Sequence, residues 1–390
     1  MHPVFNSTKP SILLLGSQMA TGGAQRVLLD QAQWFHQQGY PVVAAFFHDR
    51  EGLHTQWQAQ AAFPIVNLRA WHTGGGMGNI FGLLPGLWRV WRLMRRERFT
   101  VVECFTQHAN ILGIPLAWLA RVPVRIVSHH SRLENFPEFL TRFQSWLVNH
   151  GWAQRMVVVS KRVQAIALEE GVRPELIVVI RNGIQPVSRL APEHQASQRL
   201  AEELGVKPEE LLILNVGRLR EQKGQSYLLD AIPLVVKNLP GVVFAIAGDG
   251  PLRSDLEEKA RKLGIDHAVR FLGNRTDIPQ LLAAADVFVL PSLWEGLPIA
   301  LLEAMQAGLP SVVTNVEGVE EIITDQQNGL VVPVADPLAL ADALVTVLRD
   351  SELRARLGRS AKQLVEAEYT VDQMCMQYEA LFLSLMDAGS

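Results

Sequence analysis

Two carboxylates eight positions apart, Glu295 and Glu303, lie in the run Ser292-Leu293-Trp294-Glu295-Gly296-Leu297-Pro298-Ile299-Ala300-Leu301-Leu302-Glu303. Ionised carboxylates accept hydrogen bonds and donate none, so a pair of them suits a ligand rich in hydroxyl groups. Upstream, Arg218 and Lys223 stand five apart in Gly217-Arg218-Leu219-Arg220-Glu221-Gln222-Lys223-Gly224. They offer phosphate a planar fork and a mobile point charge. A nucleotide sugar carries both hydroxyls and phosphate. Taken singly, each set has a plain alternative: two solvated acids on a loop and a helix face, and a solvated basic loop.

The elements around these residues decide whether they meet. Asp286-Val287-Phe288-Val289-Leu290 is an apolar run of strand type, and Ala300, Leu301, Ala304 and Met305 recur at helical spacing. Pro298 suits the first helical position, where a missing N–H costs nothing. Glu295 is therefore expected in the loop at the strand's C-terminal end, with Glu303 projecting from the second helical turn toward the same side. Loops of this kind line ligand crevices in open α/β sheets, and the free N–H groups at the helix start suit an anion. The alternation runs through the whole chain. Strands are predicted at 11–16, 42–47, 101–105, 125–128 and 156–160, and again at 211–217, 242–248, 269–272, 287–291, 311–314 and 330–332. Helical stretches between them argue for an α/β protein with two parallel, doubly wound sheets.

At about 100–200 residues per domain, a chain of 390 residues suggests two domains. Asn182-Gly183-Ile184-Gln185-Pro186, followed by polar residues to Gln198, reads as the linker, which sets the domains at 1–185 and 186–370. A last helix, about 371–390, is a candidate to cross back onto the first domain. Residues 1–185 carry 18 Lys and Arg against 10 Asp and Glu, and the remainder 18 against 29. An acidic second half argues against wrapping of nucleic acid, and no zinc-finger spacing or repeated aromatic-basic pattern supports it. Two distant cysteines, Cys104 and Cys375, give no disulfide framework, so a reducing, cytoplasmic compartment is expected. Ile12-Leu13-Leu14-Leu15 is too short for the apolar core of a signal peptide. The longest nearly uncharged run, 111–120, falls short of the ~20 residues needed to cross a bilayer. Asp-x-Asp and His-x-x-x-His are both absent, so neither a bound divalent metal nor zinc hydrolase chemistry is expected.

The first strand also ends in a glycine-containing turn, Ser17-Gln18-Met19-Ala20-Thr21-Gly22-Gly23, where Gly22 and Gly23 let a ligand approach the backbone. With Gly217-Arg218, Lys223-Gly224, Gly248-Asp249-Gly250-Pro251, Phe271-Leu272-Gly273, Pro291-Ser292 and the Glu295/Glu303 element, the ordered series resembles the retaining glycosyltransferases of family 4. Ser160 and Asn182-Gly183-Ile184 fit as well. The resemblance covers nearly the whole chain and is strongest over 211–333. It implies a GT-B fold, with two Rossmann-like domains facing across a cleft. The first domain would bind the acceptor and the second the nucleotide-sugar donor, of UDP or GDP type, with no other cofactor.

By the family pattern Arg218 and Lys223 hold the diphosphate, assisted by Gly217, Gly273 and the N–H groups of Gly296 and Leu297. Glu303 binds the ribose hydroxyls and Glu295 those of the transferred sugar. Gly22 and Gly23 let the diphosphate lie against the first domain. Relatives place a histidine near the donor sugar after the fourth strand, which points to His108. Where some carry His-x-His slightly earlier, this chain has Glu103 and Phe105. His129 and His130, at the end of the next strand, are also placed for the crevice, and His108 and His130 are the candidates. Each has a buried structural histidine as its alternative.

Residues 78–99 hold Trp88 and Trp91 among Arg89, Arg92, Arg95, Arg96 and Arg98. Read one way, this is an amphipathic basic helix on an anionic membrane, at its inner face, suited to a lipid-linked acceptor. Read the other way, it is a domain helix with arginine stems lying along the surface. Gly74-Gly75-Gly76 before it reads as a mobile loop near the acceptor. The expected product is a glycan: polysaccharide, lipopolysaccharide or glycolipid. Competing classes remain. An NAD-dependent oxidoreductase would show G-x-G-x-x-G after its first strand, and Gly248-x-Gly250 lacks the third glycine. A sugar-nucleotide epimerase or an inverting GT-B enzyme shares the architecture. A silent scaffold subunit of a membrane glycan complex would be expected to lose the charged set, which this chain keeps.

Overall fold

The computed structural model describes residues 9–20, 22–70, 77–130, 137–185, 200 and 202–388. Thr21, the glycines at 74–76 and the polar segment 186–198 lie outside the described residues. The chain forms two compact units, one of residues up to Gly183 together with Val371 onward, the other from Ile184 to Thr370.

The first unit runs β1 (Ile12–Met19), α1 (Gly23–Gln37), β2 (Val42–Asp49), α2 (His54–Gln60), β3 (Ile65–Asn67), α3 (Met77–Glu97) and β4 (Val101–Phe105). It continues through α4 (Gln107–Leu119), β5 (Val124–His129), α5 (Glu138–Asn149), β6 (Arg155–Val158), α6 (Lys161–Glu169) and β7 (Ile177–Val179). Its sheet is parallel, in the order β3-β2-β1-β4-β5-β6-β7. Helices cover both faces of such a sheet, so its inner strands read as unbroken apolar runs and are easy to predict. The two edge strands, β3 and β7, escape the sequence reading. Three residues each are too few to show a period.

The second unit comprises β8 (Leu211–Val216), α7 (Gln225–Asn238), β9 (Val242–Ala247), α8 (Arg253–Lys262), β10 (Val269–Gly273) and α9 (Ile278–Ala284). Then follow β11 (Val287–Leu290), α10 (Ile299–Gln306), β12 (Ser311–Thr314), β13 (Leu330–Val332), α11 (Pro337–Arg349) and α12 (Ser351–Glu368). Its parallel sheet has the order β10-β9-β8-β11-β12-β13. Ile213, Val289, Phe244, Leu228 and Leu344 are buried in one core, each contributing about 1.5–3 kcal/mol of transfer free energy. Asp336 and Asp350 cap α11 and α12 by accepting from N–H groups of the first turn.

A last helix, α13 (Val371–Asp387), belongs to the first unit and packs on α1. Trp34 Nε1 donates to Asp372 Oδ1 at 2.7 Å, Tyr40 OH donates to Glu379, and Phe35 stacks on Phe382. The division falls between Gly183 and Ile184, two residues before the predicted one. Ile184 N–H bonds to Tyr369 O at 2.9 Å, which ties the start of the second unit to its end.

In each sheet the strand order reverses direction at one point, between β1 and β4 in the first unit and between β8 and β11 in the second. Helices leave the sheet in opposite directions there, and the loops at the strand ends diverge to leave a crevice.

Candidate functional site

The second unit's crevice carries the charged residues. β8 ends at Val216 and the chain turns through 217–224. β11 ends at Leu290 and turns through 291–298 before α10. The two turns are bonded to one another. Lys223 Nζ donates to Glu295 Oε1 at 2.6 Å, with the Glu295 side chain 5% exposed and that of Lys223 21%. Ser292 Oγ donates to the same oxygen at 2.6 Å. Gln222 Nε2 donates to Trp294 O at 3.1 Å, and Leu293 N–H to Gln222 O at 2.8 Å. Ser292 is itself fixed by Thr314, at the end of β12, whose hydroxyl donates to Ser292 O at 2.5 Å.

This closeness depends on glycine. Gly224 has φ 62°, and a Cβ there would stand 1.9 Å from Pro291 O, so no side chain fits between the turns. Gly318, at φ 90°, passes Gly296 O in the same way, at 2.1 Å from an added Cβ. Gly248 presses on Gly217 O, and its N–H bonds to Gly273 O at 2.8 Å. Gly217 and Gly273 therefore shape the base of the Arg218 turn. Gln225 Nε2 donates to Arg218 O at 3.2 Å and holds the turn from behind.

Both bonds to Glu295 fall on Oε1, and among the described residues Oε2 has none. Arg218 and Glu303 are partly exposed, on the first turn and on α10. Gly296 and Leu297 are buried just before α10, which no side chain caps. Pro298 is the residue before the first helical position rather than that position itself. Its ψ of 105° is extended, and Ile299 begins the helix.

In the first unit Gly22 precedes α1, Gly23 is its exposed first residue, and no acid or side-chain cap occupies the first turn. Across the reversal point, Thr106 joins β4 to α4 at φ 71°, ψ 153°, a region that costs a non-glycine residue of order 1–3 kcal/mol. Its hydroxyl donates to Ser17 Oγ at 2.9 Å and binds the two loops together. His108 follows, exposed, in the first turn of α4. His130 stacks on Phe105 with ring centroids 5.4 Å apart, and neither ring nitrogen has a hydrogen-bond partner among the described residues. Burial, with His129 adjacent, pushes its pKa down to about 3. Burial pushes His129 down to about 4. Glu170 lies 3.8 Å from its ring, too far for a hydrogen bond to offset that. Both imidazoles are neutral at pH 7.

Three features escape the sequence reading in whole or part. Ser292 appears there only as a motif residue, and its bond to Glu295 forms within an irregular turn that has no periodic sequence signature. Thr106 carries no sequence signal for its strained backbone. Glu103 is an acid within the apolar strand Val101-Val102-Glu103-Cys104-Phe105. It is fully buried and accepts from Gln31 Nε2 at 2.6 Å, Ser128 Oγ and Tyr378 OH.

α3 buries Val90 and Met94 while Leu84, Trp88 and Trp91 stay exposed. Arg92 lies over the Trp88 ring at 5.0 Å, and Arg89 Nη1 donates to Leu68 O at 2.8 Å. Among the described residues no helix is long and apolar enough to cross a membrane, and no group of three or more His, Cys, Asp or Glu is placed to hold a metal ion.

Residues 197–364 match the family described as glycosyl transferases group 1, and residues 21–187 match glycosyltransferase family 4. The chain is 32% identical over 282 residues to the UDP-Gal:alpha-D-GlcNAc-diphosphoundecaprenol alpha-1,3-galactosyltransferase of Escherichia coli, covering 69% of this chain and 72% of that one. It is 29% identical over 293 residues to the alpha-D-kanosaminyltransferase of Streptomyces kanamyceticus, at 70% and 73% coverage. The crystal structure of Anabaena Alr3699/HepE with UDP and glucose superposes with a TM-score of 0.84 at 24% identity, over 96% of this chain and all of that one.

Proposed function

Since this chain belongs to the family 4, group 1 glycosyltransferases, we propose that it moves a sugar from a nucleoside-diphosphate donor to a glycan or lipid-linked acceptor, retaining anomeric configuration and using no metal. The donor is of UDP or GDP type. UDP is favoured because the E. coli relative is named for UDP-Gal and the Anabaena structure holds UDP. The diphosphoundecaprenol in the first name supports a lipid-linked acceptor. Cell-surface polysaccharide or lipopolysaccharide is the product class, made on the cytoplasmic side of a membrane against which α3 rests.

The observation that carries this reading is the Lys223–Glu295–Ser292 cluster bonded across the β8/β11 reversal. Breaking the anomeric bond leaves negative charge on the diphosphate and an oxocarbenium-like sugar. An ammonium has three donors, of which Glu295 engages one, so Lys223 keeps others for phosphate oxygens while its position stays fixed. Arg218 adds a planar fork, and the uncapped start of α10 adds N–H donors. Groups held in place before the charge develops lower the barrier without reorganising. Glu295 Oε2 accepts from a hydroxyl of the transferred sugar, and Glu303 from the ribose. As the bond from C1 to the diphosphate breaks, the acceptor oxygen bonds C1 on the same face and its proton passes to the departing phosphate oxygen. No enzymic nucleophile is needed. His108 and His130 are the first unit's candidates for contact with the transferred sugar, and a neutral imidazole can accept or donate a hydrogen bond there without adding charge.

The test is a panel of UDP-, GDP-, ADP- and dTDP-sugars against the purified protein with EDTA present, read by saturation-transfer NMR and by release of the nucleotide. One base and one sugar should bind without metal, and NMR of the transfer product should show the donor's anomeric configuration. A folded sample that binds none of them would remove this reading.

A further inference from the structure

The helices α3, α4 and α5 form one layer of the first unit, with α4 packed between the other two. Where α4 ends and α5 runs, the surface is unusually aromatic for a soluble α/β unit. Trp118 is 45% exposed, Leu119 56%, Phe139 70%, Phe143 39% and Trp146 41%. They are not scattered. Trp118 stacks on half-buried Trp152 at 4.4 Å, Trp152 meets Trp146 at 5.8 Å, and Trp146 stacks over Phe143 at 6.0 Å. Phe139 is four residues before Phe143 and shares its face of α5. Isolated exposed apolar residues need no explanation, but a contiguous patch marks a surface that meets something.

Charge says what it meets. From 104 to 168 the chain has seven Lys and Arg and only two acids, Glu134 and Glu138, and Glu138 is paired with Arg142 at 2.7 Å. Beside Trp118 and Leu119 opens a groove of about 560 Å³ that Arg121 and Arg125 also line. Arg125 serves as its floor. Its guanidinium donates to Trp152 O at 2.6 Å and Gly151 O at 3.2 Å, which fixes the Trp152 turn against the strand entry. Arg121 is exposed and makes no ion pair among the described residues.

We propose that this aromatic and basic surface on α4, α5 and the Trp152 turn docks on an anionic lipid bilayer, with the rings at headgroup level and Arg121 toward a lipid phosphate. Tryptophan and phenylalanine at the water–lipid boundary, flanked by arginine and with the one acid of α5, Glu138, paired to Arg142, are the composition that such an interface selects. The groove lies at the N-terminal end of β5, whereas His108 and His130 stand at C-terminal strand ends. A membrane here leaves the first unit's crevice uncovered. The proposal rests on the membrane part of the reading above and moves the main contact from α3 to α4 and α5.

The test is co-sedimentation of the full chain with phosphatidylcholine vesicles containing or lacking phosphatidylglycerol, together with quenching of tryptophan fluorescence by brominated lipid. The residues changed in Leu119→Ser/Phe139→Ser/Phe143→Ser are exposed, so the variant should stay folded, with circular dichroism as the check. The triple variant should partition about tenfold or more less well, and Arg121→Glu several-fold less well at low salt only. Nucleotide-sugar binding should be unchanged in both. Full vesicle binding by the triple variant, with loss in Trp88→Ser/Trp91→Ser, would overturn this proposal and leave α3 as the contact. No vesicle binding by the unaltered protein would overturn the membrane reading altogether. Vesicle-independent dimers that the triple variant abolishes would make the patch a contact between copies of this chain and end the lipid assignment.

Discussion

The crevice where strand order reverses is built differently in the two units. Between β8 and β11 the turns are charged, joined by a Lys223–Glu295 ion pair and pinned by Ser292, Thr314 and Gln222. Between β1 and β4 the turns hold glycine, a strained threonine and an exposed histidine, and the end of the neighbouring strand adds two neutral ones, buried His129 and half-buried His130. The same topology thus supports fixed charge in one place and adaptable, nearly neutral surface in the other. Fixed charge suits a ligand whose charged part is constant, as the diphosphate is in every nucleotide sugar. Neutral surface suits ligands that vary, and acceptor specificity lives in such contacts rather than in the fold.

The sharpest way to break this contrast is to remove the charge. Lys223→Ala should lower kcat by about 10²- to 10³-fold, the range for loss of one fixed donor to developing charge, whereas His108→Ala should cost less than the roughly 10²-fold or more that a general acid or base supplies. Equal losses, measured with the identified donor, would place the chemistry in both crevices alike. Gly224→Ala should be nearly as damaging for a different reason. Its Cβ would overlap Pro291 O and part the turns, so both thermal stability and turnover should fall, with the larger share of the damage in stability, whereas in Lys223→Ala the larger share should be in turnover. Glu303→Ala follows, with donor affinity weakened about 10- to 100-fold, as expected for lost charge-assisted hydrogen bonds to hydroxyls. Titration with the free nucleotide reads this directly. Unchanged affinity would take the ribose away from Glu303.

How much of this was legible follows from how each feature is encoded. The inner strands and the alternation are written in runs such as Leu212-Ile213-Leu214 and Val243-Phe244-Ala245, because a parallel strand covered on both faces must be apolar throughout. Glu295 and Lys223 could be singled out because charge in a turn after such a strand stands out against it. Their direct contact could not, since 72 residues separate them and only the adjacency of β8 and β11 brings them together. Gly224 illustrates the limit from the other side. A glycine in the sequence says that the backbone needs freedom, and the carbonyl of Pro291 that imposes the need is known only from the fold. Edge strands β3 and β7, the strain at Thr106 and the bonding of Glu103 left no pattern at all.

The smallest effects sharpen the contrast by asking what the first unit's buried titratable groups do to stability. Burial holds His129 at about 4 against an ordinary value near 6.5. Between those values the unfolded chain binds the proton and the folded one does not, so this group removes stability as pH falls through the window. Glu103 has the opposite sign. Burial raises it to about 7, against the bonds from Ser128, Gln31 and Tyr378 that pull it down. From about 4.5 to 7 the folded state therefore holds a proton that the unfolded state has lost, and stability increases as pH falls. His130, held at about 3, acts in the same direction as His129, and Glu103 opposes both between about pH 4.5 and 6.5, so the unaltered protein should show a shallower acid limb than the two histidines alone would give. His129→Gln should leave Glu103 opposed by His130 alone, so its melting temperature should fall less than that of the unaltered protein as pH drops from 6.5 to 5. Glu103→Gln removes the cost of a buried charge, so it should melt about 2–4 °C higher than the unaltered protein at pH 8, with the gain shrinking toward pH 5. For the amide to be satisfied, the Gln31 side chain must turn its unpartnered Oε1 toward it, which keeps the gain small. A gain of the same size at both pH values would assign it to packing and leave Glu103 without a role in the pH profile.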